Sequence, residues 1–140
     1  MNARQFSAVM RRLATEIPRE AANVAAPEIS DEIQRNFDYG RNEHRTKWAP
    51  LKESTKARRK YPGKPILTQT GRGRGSVRVR GLAKGGLSIN VGVGYMLYHQ
   101  SGTRFMAQRS FVPRDRIPSA WNEILFAHYE RLTNRALSRA

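Results

Sequence analysis

Apolar residues recur at helical spacing at both ends of this chain and at period two only in its middle, which sharply limits the folds open to it. From residue 2 to 37, Phe6, Val9, Met10, Leu13, Ile17, Val24, Ile29, Ile33 and Phe37 keep one helix face apolar. Pro18 and Pro27 interrupt the run, and each predicts a kink or a break, because a mid-helix proline loses a hydrogen bond and crowds the preceding turn. Asp38-Tyr39-Gly40 stops the pattern, with a glycine suited to a helix end. From about 118 to 138, Trp121, Ile124, Leu125, His128, Tyr129, Leu132 and Ala136 recur at steps of three and four, and Pro118 sits where a first turn tolerates it.

Between these helices the period changes. Ser76-Val77-Arg78-Val79-Arg80 alternates apolar and basic residues, and Leu87 to Val93 alternates apolar with small ones. The glycine-rich stretch Gly81–Gly86 supplies the turn, so a hairpin is expected. Val93 to His99 reads as strand end or short helix, Gly102-Thr103 breaks it, and Phe111-Val112 is expected to return to the sheet, with Pro113 limiting that strand. Residues 41–65 hold no sustained period; Ser54 or Thr55 could cap a short helix through Lys60. A 25-residue irregular segment is too long for a plain connector and suggests a functional loop.

The expected fold class is therefore α+β: a small antiparallel β-sheet packed with long N-terminal and C-terminal helices, with a basic central loop. At 140 residues the chain is long enough for one modest core, read as a single domain. Its stretches are a helical region 1–40, a basic loop region 41–75, a sheet region 76–115 and a helix 116–140.

Charge narrows the function. There are 26 basic against 11 acidic residues, a net charge of +15. Residues 41–80 hold 13 of those cations against only Glu43 and Glu53, and so carry +11 of the total. Such a concentration repels itself and calls for an acidic partner or a nucleic acid. Arg58, Arg59, Lys60, Lys64, Arg72, Arg74, Arg78 and Arg80 are the candidate anion or DNA contacts. Trp48 and Tyr61 lie nearby, as in a single-strand stacking surface, although Trp48 followed by Pro50-Leu51 equally reads as a hydrophobic anchor. There is no cysteine, which removes disulfides and thiolate metal sites. No apolar run approaches the ~20 residues of a membrane span, and the first residues lack the apolar stretch of a signal peptide. The expectation is an intracellular soluble protein with no membrane partner.

No catalytic constellation emerges. His44, His99 and His128 fall on different elements without paired metal-ligand spacing, and no Gly-x-Ser-x-Gly elbow is present. His128 reads as a packed core or interface residue and His99 as structural. The glycines of Thr70–Ser76 suit close approach to phosphate, but their spacing fits neither a Walker A loop nor a dinucleotide fingerprint. An arginine-glycine turn against an anionic surface and a plain turn both remain open. The expected protein is not an enzyme and has no cofactor and no metal.

Several pieces, read in order, form a known pattern. They are Trp48-Ala49-Pro50-Leu51-Lys52 with Ser54-Thr55, then Pro65-Ile66-Leu67-Thr68-Gln69-Thr70-Gly71-Arg72, Val91-Gly92-Val93, Tyr95, Tyr98-His99-Gln100-Ser101-Gly102-Thr103 and Arg109-Ser110-Phe111-Val112. The set resembles the phage virion morphogenesis family, the tail-completion proteins of Mu-like phages, over roughly residues 30–115. The chain departs from it at Gly73, where the family usually has a bulky apolar residue.

The resemblance implies a structural virion protein, made in the host cytoplasm, that acts in tail completion and head–tail joining. Its implied partners are other tail and neck proteins: a tail terminator or tube protein, and a head connector. It implies a homo-oligomer, with a six-membered ring by family analogy, and DNA in the channel within reach of the basic segment. Trp48 and Leu51, Tyr95, Tyr98 and His99 are the candidate protein-interface residues on this reading. Arg109 and Phe111 secure the end of the sheet, one by polar contacts and one by burial. The rival expectation is a sequence-independent nucleic-acid-binding protein that uses residues 41–80.

Overall fold

The structure, a computed structural model, describes residues 1–139. In chain order it contains α1 (Ala3–Arg11), a π-helical turn (Arg12–Glu16), α2 (Ile17–Tyr39), α3 (Glu53–Arg58), α4 (Arg72–Gly75), β1 (Val77–Gly81), β2 (Leu87–Val91), α5 (Tyr95–Ser101) and α6 (Ser119–Ser138). The α+β class holds: long helices at both ends and a two-stranded antiparallel sheet between them. Where the sequence reads as one domain, the residues group into two compact units interleaved along the chain. Unit 1 comprises 1–29, 79–88 and 119–140; unit 2 comprises 30–78 and 89–118.

Unit 1 begins with a reciprocal cap. The Asn2 side chain accepts from the Gln5 amide at 2.9 Å, and the Gln5 side chain accepts from the Asn2 amide at 2.8 Å. The expected kink at Pro18 takes the form of the π turn just before it. The Ile17 amide reaches back five residues to the Arg12 carbonyl, which widens the helix where the proline ring would crowd it. Pro27 lies inside α2 without ending it. The core side of this part of α2 is small: Ile17, Ala21, Ala22, Ala25, Ala26 and Ile29 are all buried. Small side chains allow close approach of neighbouring backbone, and Trp121 of α6 is buried in the same unit. His128 Nε2 lies 2.7 Å from Glu28 Oε1, and the Tyr129 hydroxyl donates to the Leu13 carbonyl at 3.4 Å. The hairpin turn rests on the same helix. Gly85 has φ +93, and a Cβ there would stand 2.8 Å from Pro18 Cβ, so both its conformation and its neighbour demand glycine.

Unit 2 is built around the last two turns of α2. Phe37 is fully buried, with Trp48 edge-on at 5.6 Å between ring centroids and Phe111 at 5.5 Å. Gly40, at φ +64, ends the helix as its sequence position predicts. The chain then turns tightly. The Asn42 side-chain oxygen accepts from the amides of His44 and Thr46, and the Trp48 amide donates to the Gly40 carbonyl. So the first third of the expected irregular segment is ordered. The short helix that follows starts at Glu53, and neither Ser54 nor Thr55 caps it.

The third strand expected at Phe111-Val112 does not form. The side-chain amide of Gln100 takes its place, accepting from the amides of Phe111 (2.9 Å) and Val112 (3.2 Å) and donating to the Val112 carbonyl (2.8 Å). Backbone polar groups in a half-buried segment need partners, and one glutamine supplies three here. Phe111 therefore secures the core of unit 2, and the end of the sheet is left to other residues.

Candidate functional site

The separated stretches of the family-like pattern meet at one concavity in unit 2. It is a cleft of about 400 Å³, with Pro50, Leu51 and Lys52 on one side, Ile66, Leu67 and Gln69 to Gly71 on another, and Tyr95, Met96, His99, Phe105 to Ala107 and Arg109 closing it. Met96 is buried; Tyr95 is 47% exposed, and its ring meets the His99 ring edge-on at 6.4 Å. Leu67 lines the cleft with φ +63, a left-handed conformation that a bulky residue rarely holds.

Gly73 explains the departure from the family pattern. A Cβ at this position would come within 2.5 Å of Met96 Sδ and 3.2 Å of the Tyr95 hydroxyl. The space a bulky residue would take is already filled by the Met96 thioether. Gly73→Val should therefore lower stability by about 1–3 kcal/mol through overpacking. Shortening the methionine in the same chain (Met96→Ala) should recover part of that loss, read from paired urea melts.

The interface candidates separate into two groups. Trp48, Arg109 and Phe111 are committed within unit 2. Trp48 is 6% exposed and its indole Nε1 donates to the Ser110 carbonyl at 2.8 Å, so the expectation that it anchors a neighbouring subunit gives way to a core role. Arg109 is 8% exposed and reaches the Ala49 carbonyl (3.1 and 3.0 Å) and the Pro50 carbonyl (3.2 Å), tying the Trp48–Leu51 stretch to the far wall. It does not secure the end of a sheet. Tyr95 and Tyr98 remain exposed on α5, while Leu51 and His99 are half-buried in the cleft.

Two apolar exposures were missed by sequence. Leu97 and Phe105 of unit 2 are 57% and 75% exposed, next to tyrosines already singled out. In unit 1, α1 buries none of its residues, and Phe6 and Met10 face solvent. Periodicity marks that helix as two-faced without saying whether the apolar face finds a partner within the chain.

The basic candidates also divide. Arg74 is occupied: Nε donates to Gln34 Oε1 (2.8 Å), Nη1 to Asp38 Oδ1 (2.7 Å) and Nη2 to the Gln34 carbonyl (2.9 Å). With Gln34 Nε2 donating back to the Arg74 carbonyl, the four-residue α4 is pinned to α2, so this arginine is no free anion contact. Arg59 holds the Pro62 and Pro65 carbonyls. Arg78 turns back on the Gly75 carbonyl yet stays exposed. Arg58, Lys60, Lys64, Arg72 and Arg80 are exposed as well.

The electrostatics of the cleft are one-sided. No aspartate or glutamate lines it, while Lys52, Arg59 and Arg109 do. Burial lowers the pKa of Arg109 below the usual arginine value. Burial, and then the Arg109 charge, lowers that of His99, which favours the neutral imidazole. His99 Nδ1 is buried without a hydrogen-bond partner among the described residues.

Among the described residues no cluster of three or more His, Asp or Glu could hold a metal ion, and no helix is long and apolar enough to cross a membrane. Comparison of the chain with protein-family models, with curated proteins and with solved structures found no match.

Proposed function

We propose that the chain is a structural component of a phage tail or neck that acts in tail completion and head–tail joining, assembling with tail and head-connector proteins in the virion. The observation that carries this reading is the convergence of the family-like stretches. Trp48–Lys52, Pro65–Arg72, Tyr95, Tyr98–Thr103 and Arg109–Val112 are far apart in sequence, yet all five contribute walls to one cleft in unit 2. Exposed Tyr95, Leu97, Tyr98 and Phe105 supply apolar area of the kind that protein partners cover. The exposed helix α1 supplies a second such face in unit 1. On this reading the chain binds and builds, and catalyses nothing.

Electron microscopy of lysates from a phage lacking the gene is the direct test. Filled heads beside free tails of normal length are expected. Tails of uncontrolled length would instead make the protein a terminator, and normal infectious particles would sink the structural reading.

A second reading is favoured by the exposed cations Arg58, Lys60, Lys64 and Arg72, which have no acidic hydrogen-bond partner among the described residues: a sequence-independent nucleic-acid binder. It predicts tight binding of the purified chain to duplex DNA, with a log–log salt slope near −0.9 per neutralised phosphate. A shallow slope with weak binding would leave the tail reading alone.

A further inference from the structure

The cleft of unit 2 holds a cation with no anion. Arg109 is largely buried, its Nε and Nη2 are spent on neutral carbonyls, and its Nη1, which is not shielded from solvent, has no acceptor among the described residues. A buried guanidinium is costly unless a carboxylate or phosphate compensates it. Nothing in the cleft wall does so, because its lining contains no acidic residue and its rim adds Lys52 and Arg59. The floor is aliphatic and thioether: Ile66, Leu67, Met96 and Met106. Such a floor accepts a bulky apolar side chain. Leu67 is held there in its left-handed conformation, the kind of local strain that accumulates where a surface is shaped for a partner.

We propose that this cleft receives an acidic peptide segment of a neighbouring protein, with a carboxylate pairing to Arg109 and an adjacent bulky apolar side chain lying on Leu67 and Met96. The proposal rests on the tail-and-neck reading for where that neighbour is found, but its chemistry is independent of it. Lys52 and Arg59 attract flanking carboxylates, and Tyr95 and Phe105 flank the apolar side chain at the mouth.

The test uses the full chain and three probes: the capped peptide Asp-Glu-Phe-Leu-Asp, its neutral isostere Asn-Gln-Phe-Leu-Asn, and an oligothymidylate. NMR titration of the acidic peptide should give saturable binding in the ~10–100 μM range. Shifts should centre on Leu67, Met96 and His99. The isostere should bind about tenfold more weakly or worse, because it loses the charge-assisted bonds. Lys52→Glu, at an exposed position with no side-chain hydrogen bond, should weaken the acidic peptide severalfold without changing the melting temperature. Leu67→Gly should weaken it too, while relief of the left-handed backbone offsets part of what the lost side chain costs the fold.

Three results would overturn the proposal: no saturation below about 1 mM, equal affinity for the isostere, or displacement of the peptide from the cleft by the oligothymidylate. The deletion phenotype is separate. Unjoined heads and tails together with no peptide binding would retain the tail reading and discard the cleft proposal. Normal particles with cleft-centred peptide binding would do the reverse.

Discussion

Trp48→Ala should destabilise unit 2 by about 3–5 kcal/mol, the cost of deleting a buried tryptophan from a core that can only partly collapse. The indole is 6% exposed and packs edge-on against Phe37, which in turn meets Phe111. The substitution also removes the donor to the Ser110 carbonyl, leaving that acceptor without its partner. Against a total stability of about 5–15 kcal/mol, the loss is large enough to lower the melting temperature by roughly 10–15 °C. Trp48→Phe keeps an aromatic ring against Phe37 and loses mainly the hydrogen bond, so it should fall well short of the alanine effect. Thermal melts followed by near-ultraviolet circular dichroism would separate the two variants. An alanine variant with an unchanged melt that nevertheless fails in particle assembly would return Trp48 to the intermolecular role its sequence setting suggests.

That contrast shows what composition and spacing can and cannot convey. Trp48-Ala49-Pro50-Leu51 stands out as an apolar island among cations, and it is indeed special. Whether such an island is filled from within or from outside depends on Phe37 and Ser110, which lie 11 and 62 positions away. The terminal helices and the hairpin were legible because their periods are intrinsic to the elements, and so was the stop at Gly40. The missing third strand was not. Phe111-Val112 has strand composition, but its backbone is satisfied by the amide of Gln100, and no local pattern announces a side chain standing in for a strand.

The basic segment teaches the same lesson in electrostatic terms. Sequence counts the cations of residues 41–80 but does not say which are already paired. Arg74 sits in the most tempting arginine-glycine stretch, yet Gln34 and Asp38, one helical turn apart on α2, take its guanidinium. Arg109, outside that segment, is a buried cation with no acidic partner among the described residues. The signal that could have found it is the pairing of a lone arginine with a stretch, residues 105–112, that contains no acidic residue at all. The exposed face of α1 is a further case, since a helix period fixes which residues share a face and leaves open what covers it.

Glu32→Gln should lower stability at neutral pH by about 2–3 kcal/mol, at or below the lower end for breaking a buried ion pair because its arginine partners keep contact with water. Glu32 is fully buried. It accepts from Arg45 Nε at 2.8 Å and Arg35 Nη2 at 3.1 Å, with Arg41 Nη2 at 3.8 Å. Burial taken alone would raise its pKa, but the hydrogen bonds and charges of Arg45 and Arg35 outweigh burial and hold the carboxyl below its ordinary value. The sign of the pH dependence follows. A carboxyl whose pKa is lower folded than unfolded contributes its stability above the unfolded value, near 4.3 for glutamate, and loses it as pH falls through the folded value. Urea melts across that acidic range should show the native chain losing stability more steeply than Glu32→Gln, so that the two curves converge at low pH. Curves that stay parallel would mean the carboxylate contributes no pH-dependent stability to this part of unit 2.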